Sequence, residues 1–370
     1  MFTFKHPVDI RFGEGIISQL GEIISDLEYS RLVVVATRSQ VKNGVAEFIE
    51  TELGEKIKTV ISDIEANPTI ENVSEIAAAL HAHDAHAVIA VGGGSAMDAS
   101  KAAAAAYMQG VEPGSIIEHT DFTRALPVIA IPSTSGSASE VTASSIISDK
   151  SQGLKVPLIG PGLYPKVALV DPELTLTCPP KVTAISGIDV ICHALDCLGS
   201  TKHNPVSDTL AIRAANLAFK NLLAAYNEPS DREARTNMSL ASMMAGMAFS
   251  QTGTSGSHAM SYYLTSQYDV PHGEACAFSL DEWFKVNAKA NPQLHDHAKD
   301  IGFEDAEDLA RAFNGLKQNL GLGMTLSDFG INHADIPVIA DESMRQANMK
   351  NNIAQLSRGE IIEMLEQKQA

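Results

Sequence analysis

Four side chains in this sequence have the types and spacing to hold a divalent cation. His258 and His272 flank the stretch SGSHAMSYYLTSQYDVPHGEA, Ser255 to Ala275, the second directly after Pro271. Upstream, GIDVICHALD sets Asp189 and His193 at i and i+4, so that a helix there would project both from one face. Three imidazole nitrogens and one carboxylate oxygen suit a borderline ion such as Fe2+ or Zn2+. A set without thiolate argues against a structural cysteine-type zinc site. A metal with only four protein ligands can still accept a substrate oxygen, as catalysis requires. Either pair alone is a common coincidence, and it is the rest of the chain that gives the set weight.

The elements around these residues divide by texture. Arg31 to Thr37 (RLVVVAT), Ala87 to Val91 (AVIAV) and Leu126 to Pro132 (LPVIAIP) are continuous apolar runs of the kind that form buried parallel strands, and Thr69 to His81 has helical periodicity. The second run leads into GGGSAMDASK, Gly92 to Lys101, and the third into STSGSASEVT. Strand, triple glycine and alanine-rich helix form an arrangement whose backbone N–H groups can cradle a pyrophosphate, with Ser95 placed to cap the helix. Two such loops after consecutive strands can converge on one cofactor at the carboxyl edge of a sheet. GGGSAMDASK is not a GxGxxG fingerprint, and Asp98 and Lys101 read equally well as ordinary helix residues.

From Cys178 onward the pattern turns helical, with Ser207 to Ala224 and Arg235 to Ala248 as periodic segments and SRGEIIEMLEQKQA as a final capped helix. The expected division is an α/β domain over residues 1–177 and an all-helical domain over 178–370. The metal candidates fall in the second and the phosphate loops in the first, which predicts a site in the cleft between them.

Composition narrows the function classes. The 370 residues, 45% apolar and 19% charged, suit a globular protein with a substantial core. A formal charge of −18 with no basic run disfavours nucleic acid and anionic membranes as partners. The N-terminus lacks the apolar core of a signal peptide, and Cys178, Cys192, Cys197 and Cys276 form no framework, so reduced thiols and a cytoplasmic location are expected. Cys192 reads as helix packing.

With these motifs in place the chain resembles the iron-containing, or group III metal-dependent, alcohol dehydrogenases. The resemblance rests on FKHPVDIRFGEG, DIEANPTIENV, GGGSAMDASK, IPSTSGSASEVT, GIDVICHALD and SHAMSYYLTSQYDVPHG, in that order. It implies a dehydroquinate-synthase-like fold, with a Rossmann-like N-terminal α/β domain and a C-terminal helical metal-binding domain. It carries the metal ligands, for Fe2+ or Zn2+, onto Asp189, His193, His258 and His272. NAD contacts fall on Thr37, Asn67, Gly93, Gly94, Ser95, Asp98, Thr134, Ser135, Ser137 and Lys155, and catalytic parts on Tyr262 and Asp98.

Two departures stand out. Tyr262 occupies the place of a histidine linked to proton transfer, and a phenol is a poor base at neutral pH but a competent hydrogen-bond donor. Thr37 and Arg38 replace the aspartate that favours NAD at the end of its strand, which weakens discrimination against NADP. The combination of SHAMSYYLT with PHGEACAF looks most like the branch reducing sulfoacetaldehyde or phosphonoacetaldehyde. Thr252, Thr254, Ser257, Arg345 and Lys350 are then the expected partners of the anionic head. The alternatives are a general short-chain alcohol dehydrogenase, a dehydroquinate-synthase-like lyase that regenerates its NAD, and a non-catalytic binding protein. A homodimer is expected from an open edge strand near the N-terminus.

Overall fold

The computed structural model describes residues 1–151 and 154–369. The chain divides into two compact units, His6–Cys178 and Pro179–Ala370, the latter joined by Met1–Lys5. The division falls at Cys178 rather than Thr177, because Pro179 is extended and Pro180 opens the first long helix of the second unit. The first five residues join the helical unit through Lys5, whose backbone N–H and C=O pair with the Gln251 amide.

In chain order the strands of the first unit are β1 (Asp9–Phe12), β2 (Leu32–Ala36), β3 (Ile57–Ile61), β4 (Ala87–Gly92), β5 (Val128–Pro132), β6 (Ser144–Asp149), β7 (Leu154–Ile159) and β8 (Val167–Val170). Six of them form an all-parallel sheet in the order β1-β8-β5-β4-β2-β3, and β6 and β7 pair as a separate antiparallel hairpin. The apolar runs are continuous because both faces of the sheet are covered. Val33, Val35, Val88 and Ala90 pack with the helices Ile70–Ala82 and Gly94–Gln109, while Leu32, Val34, Ile89 and Val91 face the helices Leu20–Asp26 and Val45–Leu53. The chain moves outward from β2 to β3 on one side and from β4 to β5 on the other. The sheet therefore has its topological switch point between β2 and β4.

The second unit is helical. Its helices α1 (Pro180–Leu198), α2 (Pro205–Asn227), α3 (Arg232–Thr252), α4 (Gly256–Tyr268) and α5 (His272–Ala290) include every candidate metal residue. Four further helices, Gln293–Ile301, Ala306–Asn319, Ile336–Arg345 and Arg358–Glu366, complete it. Two apolar clusters hold these together, one centred on α1, α2 and α3, the other on Trp283, Phe278 and the C-terminal helices. Among the described residues no helix is long and apolar enough to cross a membrane.

Candidate active site

Asp189, His193 and Asp196 project from α1, His258 stands in the first turn of α4, and His272 is the first residue of α5. Two local features bring these helices together. At Gly273 an added Cβ would lie 2.0 Å from the Ile185 carbonyl oxygen and 3.0 Å from Asp189 Cβ, so only glycine lets α5 begin against α1. The start of α4 has no side-chain cap of its own. Asp196 takes that role from α1, its Oδ2 accepting from the backbone N–H groups of Ser255 (2.9 Å) and His258 (3.3 Å), its Oδ1 from the Ser257 hydroxyl (2.9 Å).

The same carboxylate fixes the His258 ring. Asp196 Oδ2 lies 2.8 Å from His258 Nδ1, which donates, leaving Nε2 with a bare lone pair. Burial alone would push the Asp196 carboxyl pKa up, but the bonds from His258, Ser255 and Ser257 outweigh it and hold it below its usual range. Burial would lower His258, and the two carboxylates reverse this and raise it.

His258 Nε2 and Asp189 Oδ1 are buried, make no hydrogen bond among the described residues, and stand 3.6 Å apart. That is too long for a hydrogen bond. Two donors at about 2.1 Å from a tetrahedral metal are roughly 3.4 Å apart, so the spacing fits a shared cation. The chemistry of the donor set passes the same test, and this unit can hold a divalent metal.

Donor atoms of Asp189, His258, His272 and Cys276 all lie within 4.8 Å of one another. His193 is not of that set. Its ring is stacked between Phe249 (centroids 4.2 Å) and His258 (4.8 Å), with Nε2 3.9 Å from Asp189 Oδ2. Tyr262 stacks on His272 at 6.2 Å, and burial, aided by the charges around it, pushes its phenol well above its usual range.

In the first unit the glycine turn sits at the carboxyl end of β4, beside that of β2. Gly92 has φ +151°, and an added Cβ would meet Thr37 Cγ2 at 2.6 Å. At Gly94 a Cβ would lie 2.7 Å from Ser137 Oγ, and at Gly93 3.3 Å from Thr134 Oγ1. Thr37, Gly93, Gly94, Thr134 and Ser137 thus surround one backbone cradle at the N-terminus of the helix Gly94–Gln109. Lys155 donates to Asn67 Oδ1 at 2.9 Å, joining two further residues expected at the cofactor.

Comparison with known proteins decides what this pair of sites belongs to. Residues 7–172 match the family described as iron-containing alcohol dehydrogenase, and residues 183–369 match its C-terminal part. The chain belongs to the iron-containing alcohol dehydrogenase family. Among its relatives, alcohol dehydrogenase 4 of Saccharomyces cerevisiae is 30% identical over 96% of this chain and 95% of its own. A 1-propanol dehydrogenase of Salmonella typhimurium is 36% identical over 84% and 85%. The structure of sulfoacetaldehyde reductase from Bifidobacterium kashiwanohense in complex with NAD+ superimposes with a TM-score of 0.94 at 34% identity, covering 100% of this chain and 98% of that one.

As an iron-containing alcohol dehydrogenase the chain is an oxidoreductase, yet several expected roles change. Ser95 does not cap its helix, which begins at Gly94 with Gly93 in the cap position; the glycines pull the helix start forward. Asp98 is ill placed for catalysis, since its Oδ1 accepts from the Ser139 hydroxyl and its Oδ2 from the Ile146 backbone at 2.9 Å. Nearby Lys101 is fully buried and donates to Ser139 Oγ, Thr142 O and Ser144 O, so it ties down the polar loop. Of the headgroup residues, Ser257 is committed to Asp196 and Thr252 donates to the Gly253 carbonyl at 2.8 Å, both with no exposure. Arg345 is an exposed side chain paired with Glu342 one turn earlier. Thr254, which accepts from Asn348 Nδ2 at 3.2 Å, can still donate its hydroxyl hydrogen, and Lys350 is exposed.

Two residues of the site are absent from the sequence expectations. Asp196 stands two helical turns after Asp189 in GIDVICHALD, and that spacing alone marks it as a residue of the same face. Cys276 follows His272 at i+4, which puts it on His272's face of α5, its Sγ beside the ring at 3.7 Å from Nε2 and 3.9 Å from Nδ1.

Proposed function

We propose that this enzyme is an NADH-using, metal-dependent reductase of a small anionic aldehyde, with sulfoacetaldehyde, reduced to isethionate, as the first candidate. The observation that carries the metal-dependent reading is the buried pair Asp189 Oδ1 and His258 Nε2, unpaired among the described residues at a spacing suited to one cation. A divalent ion held by Asp189, His258 and His272, with His193 or Cys276 beside them, would supply Lewis-acid polarisation of the carbonyl. The glycine cradle with Thr37, Thr134, Ser137, Ser135, Asn67 and Lys155 would hold the dinucleotide, which supplies the hydride.

The chain's own groups do the rest. Asp196 keeps His258 in the tautomer that presents Nε2. Tyr262, held protonated, serves as a hydrogen-bond donor to the oxygen that gains charge and not as a base. Thr254 and Lys350 remain as partners for the anionic head. The substrate assignment is supported by the likeness to the sulfoacetaldehyde reductase over the full chain. Four buried cysteines outside any disulfide support a reducing, cytoplasmic setting, and the position of β1 at the edge of the sheet supports a homodimer.

The test is a kinetic comparison of sulfoacetaldehyde, phosphonoacetaldehyde, propanal and glycolaldehyde with NADH and NADPH. Net NADH consumption with the highest kcat/KM for the sulfonate supports the proposal. Preference for the uncharged aldehydes would replace the substrate and keep the dehydrogenase, whereas turnover without net NADH loss would favour a lyase.

A further inference from the structure

We propose that Asp63 makes this chain select NADH over NADPH, by occupying Arg38 and adding its own carboxylate where the 2′-phosphate of NADPH would need a cation. This rests on the NADH reading above and names the residue behind it. In sheets of this kind a carboxylate at the end of the strand beside the glycine turn accepts from the adenosine 2′-hydroxyl, and an arginine nearby accommodates the 2′-phosphate. Here that strand ends in Thr37 and Arg38, which taken alone favour NADPH. Three observations reverse that expectation.

The first is register. β2 and β3 are parallel neighbours with Val35 opposite Ile61, so Arg38 and Asp63 emerge side by side at the carboxyl edge of the sheet. Arg38 Nη2 donates to Asp63 Oδ1 at 2.5 Å. Arg38 also follows Thr37, whose Cγ2 stands 2.6 Å from the place a Cβ would take on Gly92, so the pair borders the glycine turn.

The second is charge. The pair lines a cavity of about 510 Å³ whose other charged lining residues are Glu65, Glu71 and Glu75. Lys150 pairs with Glu65 at 2.6 Å, so two cations face four carboxylates. A dianionic 2′-phosphate meets net negative charge there, whereas the neutral 2′-hydroxyl of NADH can donate to Asp63.

The third is that the backbone, not the ion pair, keeps Asp63 in place. Its carbonyl oxygen accepts from Asn72 Nδ2 at 2.9 Å, and Asn72 also closes the cap of the helix Ile70–Ala82 with Thr69. Further along the same loop, the Ser148 backbone N–H donates to the Pro68 carbonyl at 2.8 Å. The Arg38 and Asp63 side chains are 76% and 71% exposed, so their pairing adds little stability of its own. What it decides is which anion Arg38 can meet.

The experiment is calorimetric titration of the full-length protein with NADH and with NADPH at low and high salt. We expect the wild type to bind NADH at least about 10-fold more tightly, because like charges placed together are disfavoured. That gap should narrow as salt screens the repulsion. In Asp63→Asn, Arg38 is released and NADPH binding should improve about 10-fold with NADH binding little changed, and adding Arg38→Ala should remove the gain. NADPH bound by the wild type as tightly as NADH, a gap that widens with salt, or an unchanged ratio in Asp63→Asn would overturn the proposal. Failure to bind either dinucleotide would reject the cofactor reading itself together with this one. The salt dependence of the wild type decides even if a variant does not fold.

Discussion

Asp196 Oδ2 lies 2.8 Å from Nδ1 of His258, both side chains are buried, and the contact leaves the far nitrogen of the ring aimed at Asp189. A carboxylate behind a ligating histidine fixes its tautomer and raises its basicity. In this chain the same carboxylate also anchors the first turn of α4, so the ring and the helix that carries it are oriented by one group.

Replacing that carboxylate with an amide tests its electrostatic part. Asp196→Asn keeps an oxygen for the Nδ1–H but removes the charge, and metal affinity should fall by about 10- to 100-fold. Competition with a chelator for Zn2+ measures it, and unchanged affinity would reduce the contact to packing.

His272 opens α5 with its ring beside both Cys276 and Tyr262. His272→Ala should lose bound metal and turnover together while the far-ultraviolet circular dichroism stays native. Metal content by mass spectrometry is the readout, and a variant that keeps stoichiometric metal would remove His272 from the site.

The glycine cradle predicts a cofactor defect. A methyl group in Gly94→Ala would stand 2.7 Å from Ser137 Oγ, and relief of such crowding costs about 1–3 kcal/mol. The dissociation constant for NADH should rise about 5- to 150-fold, with metal content unchanged. Calorimetric titration with NADH checks this.

Glu140 makes stability depend on pH. Burial pushes its pKa up to about 7, from 4.5 in the unfolded chain, so the folded state binds the proton more tightly. Its contribution is therefore present in full below about pH 4.5 and is lost as pH rises through about 7. Glu140→Gln should flatten that fall, exceeding the wild type by roughly 1–3 kcal/mol near pH 8.5 and matching it near pH 4.5. Urea denaturation at the two pH values measures the difference.

How much of the molecule is legible in its sequence follows from the range of the forces involved. β2, β4 and β5 are legible because a strand covered on both faces must be a continuous apolar run, and LVVVA, AVIAVG and VIAIP are such runs. The hairpin of β6 and β7 is not, because SSIISD lacks the strict polar–apolar alternation that marks a half-buried strand and LKVPLI holds a proline. Asp189, His258 and His272 can be nominated from side-chain type and spacing. The uses of Ser257, Thr252 and Asp98 cannot, because a hydroxyl or carboxylate reveals its partner only when distant chain arrives beside it. Cys276 looks like an idle thiol in the sequence for the same reason: its neighbours Asp189 and His258 come from other helices.

A cation as part of the catalyst is the central proposal. The most direct measurement is aldehyde-dependent NADH consumption as a function of metal content, from chelator-stripped protein refilled stepwise with Zn2+ or Fe2+. We predict a rate proportional to bound metal that vanishes when none is bound. Full turnover in protein shown to hold no metal would contradict it.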